Sequence, residues 1–261
     1  MDDNTDYGLG QMHEKLLQVL CGFDALCREN GIAYSLHGGT LLGAERHHGF
    51  IPWDDDLDVS IRREDYRRLA RAVEENPTLC GMEEVLWVPR FYLKELGREY
   101  FIDVFIWDYI SGNPAGRFAK INLLRFIQGM LKTDIDYAGQ KLPYKALMFL
   151  THAAGLPFSR EKKLRWYHTV EEKWFTGDKS AIHRSNDAFR WVADLYDGNY
   201  MDSFTELDFE GKKLMATSRY KEGLVHSYGP NYMTPPPPEQ RVSQHSRIRS
   251  ALSDSGKTGR R

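Results

Sequence analysis

Four carboxylates fall within five residues in the stretch Trp53-Asp54-Asp55-Asp56-Leu57-Asp58. Like charges at that density repel unless something neutralises them, and a divalent cation is the economical partner. The run leads into a segment where Leu57, Val59 and Ile61 alternate with Asp56, Asp58 and Ser60, the period of a strand with one buried face. Residues two apart on a strand share a face, so Asp56 and Asp58 reach one hard cation through oxygen ligands, the coordination that Mg²⁺ or Mn²⁺ prefers. Asp103, in Phe101-Ile102-Asp103-Val104-Phe105-Ile106, is expected to complete the metal-binding and catalytic set from a neighbouring strand, sharing the metal or accepting an acceptor's proton; in such apolar surroundings an uncompensated charge is costly. A solvated acidic loop is the plain alternative for three adjacent aspartates, and the apolar strand that follows argues against it. A calcium-binding EF-hand fails on the same residues. Asp54, Asp56 and Asp58 match its first, third and fifth positions, but Val59 stands where it needs glycine and Asp65 where it needs glutamate.

Upstream, Gly38-Gly39-Thr40 lies between a short strand and an apolar helix start, which lets backbone N–H groups approach an anionic phosphate. A double glycine also serves a plain tight turn. Its position fewer than twenty residues before the paired aspartates favours phosphate chemistry. Arg46, His47 and His48 lie between the two elements, where cationic or hydrogen-bonding groups suit a second phosphate.

The elements that must position these residues follow from periodicity. Apolar residues at helical spacing predict a helix over 11–30, followed by a strand over 32–36 and a helix starting at Leu41. An amphipathic helix over 63–75 and a strand over 100–107 come next, then helical stripes across 111–189, read as an insertion. A hairpin over 204–215, a short helix over 220–228 and an extended run of four prolines at 235–238 complete the body. Residues 239–261, rich in Ser, Arg and Gly, are expected to be a disordered basic tail.

Composition sets the bounds. The 261 residues are 41% hydrophobic and 28% charged, which describes a folded chain and excludes disorder along its whole length. The net charge of −2 is unevenly spread: from Arg241 onward six basic residues face one acid, so the tail carries +5 and the first 240 residues −7. That balance gives no reason to expect nucleic acid as a partner. Three cysteines without a Cys-x-x-Cys pair fit a reducing compartment, and the acidic N-terminus lacks the basic start and apolar core of a signal peptide. A cytoplasmic protein is expected. The longest apolar stretch, 146–158, is too short to span a bilayer and reads as a core helix, with a membrane-surface contact as its alternative.

The run from His37 to Tyr66, HGGTLLGAERHHGFIPWDDDLDVSIRREDY, closely resembles the signature of the LicD family, the bacterial phosphocholine transferases related to the fukutin proteins, within the nucleotidyltransferase-like superfamily. YFIDVFIWD is similar to the family's second acidic strand, and FEGKKL with SYGPNYMTPPPPEQRVSQH is similar to its C-terminal pattern. The resemblance implies an α+β fold with a mixed β-sheet core flanked by helices, formed by a catalytic domain over 1–238 with the helical insertion at about 111–189. It implies that Gly38, Gly39 and Thr40 form the turn facing the donor's phosphates, that Asp56 and Asp58 are the metal-binding pair, and that Asp103 is the third acid.

The expected reaction is Mg²⁺- (or Mn²⁺-) dependent transfer of a phospho-substituent, foremost phosphocholine from CDP-choline, to a hydroxyl of a cell-surface glycan such as lipopolysaccharide or teichoic acid, or of a lipid-linked precursor. A place at the inner face of the membrane would suit such an acceptor. Choline needs an aromatic cage, for which Trp53, Tyr92, Trp107 and Tyr109 are candidates. Two departures stand out: only Arg90, Lys94 and Arg98 replace the family's basic stretch before the second acidic strand, and Met215-Ala216-Thr217 replaces a proline after Phe-Glu-Gly. Glu210 and His245 match the family pattern without a chemical role that the sequence supplies. The rivals are a nucleotidyltransferase or another phospho-alcohol transferase on the same fold, a glycosyltransferase with paired aspartates, and a non-catalytic metal- or glycan-binding module.

Overall fold

A computed structural model describes residues 7–132 and 142–241, the side chains of 142–144 excepted. The expected tail from 242 onward, with His245, lies outside the described residues. The fold is α+β, as expected. Its elements are α1 (Gly10–Glu29), β1 (Tyr34–Leu36), α2 (Gly38–His47), β2 (Asp58–Arg62), α3 (Arg63–Glu75), β3 (Cys80–Val85), β4 (Val88–Leu93) and β5 (Phe101–Ile110). There follow α4 (Pro114–Leu131), α5 (Leu142–Gly155), α6 (Arg160–Lys173), β6 (Ala181–Arg184), β7 (Leu195–Asp197), β8 (Phe204–Phe209), β9 (Lys212–Thr217) and α7 (Tyr220–Tyr228).

The long strand β5 organises a seven-stranded mixed sheet. On one side it pairs in parallel with β2, which pairs antiparallel with β1. On the other side its first residues pair with β4 and its last with β6, both antiparallel. Helix α1 lays Leu16, Val19, Leu20, Phe23, Leu26 and Cys27 on this sheet, a spacing of three and four that gives one buried stripe. The hairpin β8–β9 joins the same core through Phe209, Leu214 and Ala216.

Two features differ from the sequence expectation. The helices of the insertion end at Lys173, and Ala181–Arg184 returns to the sheet as β6. The hairpin β3–β4 forms where only a basic stretch was expected. The insertion has its own core, built on Ile121, Leu124, Ile127, Leu164, Tyr167 and Val170. The cysteines are free thiols, and burial raises the Cys27 thiol far above its ordinary range. No helix among the described residues is long and apolar enough to cross a membrane.

Candidate active site

Parallel pairing of β2 with β5 sets Asp58 directly opposite Asp103, so both carboxylates leave the same face at the start of the two strands. Asp56 precedes β2 rather than lying on it, and the acid loop reaches the site by its own path. That path is held from three sides. His13 of α1 bonds the Asp54 carbonyl through Nε2 at 2.7 Å and stacks its ring on Phe50 at 4.2 Å. Glu210, at the turn between β8 and β9, accepts from the Phe50 N–H through Oε1 at 3.1 Å, and its own N–H donates to the His48 carbonyl at 2.8 Å. Thr40 accepts from the Asp58 N–H through Oγ1 at 2.8 Å.

The double glycine opens α2 rather than forming a separate turn. Gly38 has a φ of +53°, and a Cβ there would stand 2.6 Å from Asp58 Oδ2; one on Gly39 would stand 2.3 Å from Asp54 Oδ2. Any side chain at either position collides with a carboxylate, so the glycines are what let two acids reach the positive end of the helix. Thr40 is buried, and its hydroxyl engages the start of β2.

A cavity of about 470 Å³ is lined by Gly39, Arg46, Trp53, Asp54, Asp56 and Asp58 on one wall and by Tyr228, Asn231, Tyr232 and Gln240 on the other. A second, of about 320 Å³, is lined by His37, Gly38, Gly39, Asp58, Phe105, Arg184, Asp187, Trp191, Ser227 and Tyr228. Gly39, Asp58 and Tyr228 belong to both, so the two spaces meet at Asp58. Burial, and then the charges of Asp56, Asp103, Asp54 and Asp187, hold the Asp58 carboxyl well above the usual carboxylate range. Burial of the hydroxyl end, and then the charges of Asp58, Asp54 and Asp56, raise the Tyr228 hydroxyl. In the second cavity burial, with Arg184 beside it, pushes His37 well below its ordinary value, while burial raises Asp187 against the pull of Arg184.

Among the expected site residues, Gly38, Gly39, Arg46, Asp56 and Asp58 face the two cavities. Arg46 also donates from Nη1 to the Tyr232 carbonyl at 3.0 Å, tying the C-terminal segment to α2. His47 instead stands edge-on to Trp53 at 6.2 Å. Asp103 lines neither cavity; its Oδ1 accepts from Arg90 Nε at 2.9 Å, so an arginine compensates the charge that the sequence left unbalanced. Of the four aromatic cage candidates only Trp53 lines a cavity. Trp107 is buried against Tyr196 and Tyr200, Tyr92 packs beside Lys94 and Arg98, and Tyr109 bonds Arg62.

The residues that sequence reasoning missed are Tyr228, Tyr232, Arg184, Asp187 and Trp191. The two tyrosines stand in the Tyr-Gly-x-x-Tyr pattern, a signal that was present without a role. The loop carrying Asp187 and Trp191 had no signal at all. Of the residues assigned to the expected tail, 239–241 are described: a short 3₁₀ turn spans Pro238–Gln240 and the Arg241 guanidinium lies 5.1 Å over the Trp53 ring.

The donor set suits a hard cation. Asp56 and Asp58 offer carboxylate oxygens in a place where other carboxylates supply the dominant field, which a divalent charge would relieve. Among the described residues no three acidic, histidine or cysteine side chains already stand together as a metal cage.

Comparison with known proteins agrees with this geometry. The chain is 28% identical over 249 residues to the lipopolysaccharide cholinephosphotransferase LicD of Haemophilus influenzae, covering 88% of this chain and 92% of that protein. A shorter likeness, 57% identity over 35 residues, links it to the ribitol 5-phosphate transferase FKRP of Homo sapiens, over 13% of this chain and 7% of that one. An uncharacterized protein of Rickettsia typhi is 50% identical over 78 residues, 25% of each chain. Residues 31–114 match the family model described as LicD/FKTN/FKRP, nucleotidyltransferase domain. That segment holds the glycines of α2, the acid loop and the facing strands of Asp58 and Asp103, and over it the chain is similar to the LicD-type nucleotidyltransferase domain.

Proposed function

We propose that this phosphotransferase moves phosphocholine from CDP-choline to a hydroxyl of a cell-surface glycan or its precursor, with Mg²⁺ (or Mn²⁺) held by Asp56 and Asp58. The observation that carries the reading is the meeting of two cavities at Asp58, one for a donor and one for an acceptor. When bound, the cation would neutralise charge on the donor's phosphates and on the departing cytidine monophosphate.

The protein's own residues do the rest by positioning. Arg46 places a guanidinium in the larger cavity, suited to a phosphate oxygen. Trp53, Tyr228 and Tyr232 offer ring faces to a quaternary ammonium, and Trp53 already carries the Arg241 cation on its face. The smaller cavity brings Trp191 and Phe105 for a sugar ring and the Arg184–Asp187 pair for its hydroxyls. In the transfer, the acceptor oxygen bonds phosphorus and the phosphoanhydride bond to cytidine monophosphate breaks, that group leaving with the electron pair. The hydroxyl proton passes to Asp187, the carboxylate of that cavity not assigned to the cation, which burial makes more basic. Asp103, tied to Arg90, adds to the field that raises Asp58.

The test is direct. Purified protein is incubated with Mg²⁺, CDP-choline and lipopolysaccharide, and the modified acceptor is analysed by mass spectrometry. Choline phosphate on the glycan supports the reading; a nucleotide there defeats it. Another phospho-alcohol as cargo is the second reading, favoured by the likeness to a ribitol 5-phosphate transferase. CDP-ribitol in the same assay decides between them.

A further inference from the structure

The helical insertion differs from the rest of the molecule in both its apolar surface and its charge. Among the described residues thirteen large apolar side chains are exposed, and eight of them lie between 118 and 175. Phe118 and Leu156 are 71% and 70% exposed, and Phe149 and Leu150 stand side by side on α5 at 61% and 63%. Between the helices runs an apolar groove of about 450 Å³, lined by Leu123, Ile127, Met130, Phe158, Trp166 and Trp174. A surface this apolar needs a cover, because isolated soluble domains rarely expose contiguous patches of this kind.

Charge indicates what the cover is. Residues 114–132 and 142–175 contain ten lysines and arginines against three glutamates, a net +7 in a chain whose total is −2. Glu171 and one of the cations, Lys120, are both buried, so the outward balance stays at +7. Lys162 lies over the rings of Phe158 and Trp166 at 4.9 and 5.3 Å, setting a cation at the rim of the groove. Apolar and aromatic side chains rimmed by cations match the boundary of an anionic bilayer, where the rings enter the headgroup region and the cations meet lipid phosphates.

Position adds a second argument. A smaller apolar cavity of about 260 Å³, between α4 and α5, is walled by Phe189. Arg125 of α4 donates from Nε to the Phe189 carbonyl at 2.8 Å. Asp187 and Trp191, two residues to either side, line the smaller cavity at Asp58. One short loop therefore joins the apolar face to the side of the site where an acceptor would enter.

We infer that the helical insertion is a docking surface for an anionic phospholipid membrane, seated through α5 and the groove beside it. The inference does not rest on the proposed reaction, since membrane binding is measured without donor or acceptor. The full chain is mixed with vesicles of phosphatidylglycerol and phosphatidylethanolamine, or of phosphatidylcholine alone, and floated on a density gradient. Flotation with the anionic vesicles is expected, reduced at least tenfold on phosphatidylcholine and weakened by high salt. The triple variant Phe149→Ser, Leu150→Ser, Leu156→Ser should lose flotation while keeping the wild-type circular dichroism spectrum. A second variant, Lys162→Glu with Lys163→Glu, should lose binding to anionic vesicles with the apolar residues intact. Absence of flotation by the wild-type chain overturns the inference. So does a wild-type dimer in solution that the triple variant converts to monomer, which would make the face a contact between copies.

Discussion

Asp58 and Asp108 are carboxylates on the paired strands β2 and β5, the first half-buried and the second buried, and the protein surrounds them differently. Around Asp58 the leading influences after burial are other acids, and its carboxyl is pushed well above the usual range. Asp108, five residues beyond Asp103 on β5, receives Arg63 Nε at 3.0 Å and the Ser185 hydroxyl, and despite burial the Arg63 charge holds it below that range. Arg63 also reaches Glu171 and Glu172 of α6, so this second cluster ties the insertion to the sheet. The difference separates two uses of an acid. Where the chain brings its own cations the acids hold the fold together; where it leaves acids to repel one another the arrangement suits the cation proposed above.

The sharpest way to break that contrast is Asp58→Asn. Transfer should fall by at least about 10³-fold, with a melting temperature equal to the wild type or higher because repulsion is removed; a large loss of stability would sink the distinction. The mirror experiment is Arg63→Met, which strands Asp108 and Glu171 and should cost about 3–5 kcal/mol in denaturant unfolding. Added Mg²⁺ at about a hundred times its Kd should stabilise the wild type by about 2.7 kcal/mol. The same titration on Asp58→Asn should show little or no shift, and equal shifts in both proteins would remove Asp58 from the metal site.

Smaller effects refine the picture. Tyr228→Phe removes the hydroxyl between the two cavities and should lower kcat/KM by about tenfold without changing stability, the scale of one hydrogen bond to a charged group. His168 of α6 bonds Glu171 and Glu84, and although burial opposes its charge, those bonds raise it from 6.5 to about 10. A raised base stabilises the fold fully below its unfolded value, so this contribution should be complete below about pH 6.5 and fade as pH climbs towards about 10. Stability curves of wild type and His168→Gln should therefore converge at high pH.

The chemistry was legible where local pattern and tertiary role coincide. Alternation in Leu57–Ile61 and the apolar run around Asp103 were enough to foresee two strands with acids on one face, and the family likeness supplied their neighbours. Three things were hidden. Strand β4 contains Pro89 and β3 the pair Glu83–Glu84, so neither shows a clean strand period. Strand β6 is four residues long, and its buried His183 and Arg184 look like surface residues until their partners, the Val192 carbonyl and Asp187, are known. The second cavity depends on a loop after β6 meeting the end of α7, a juxtaposition that no local signal carries.

Glu210 fixes the loop of Phe50 from the β8–β9 turn, and Tyr228 and Tyr232 close the cavity that this loop begins. The site is therefore assembled from segments made far apart in time. At about 5–20 residues per second, about eight to thirty seconds separate the emergence of Asp58 from that of Glu210. Throughout that interval a nascent or truncated chain holds the aspartates without their anchor or their second wall. The proposed site is thus completed only by residues made well after its aspartates.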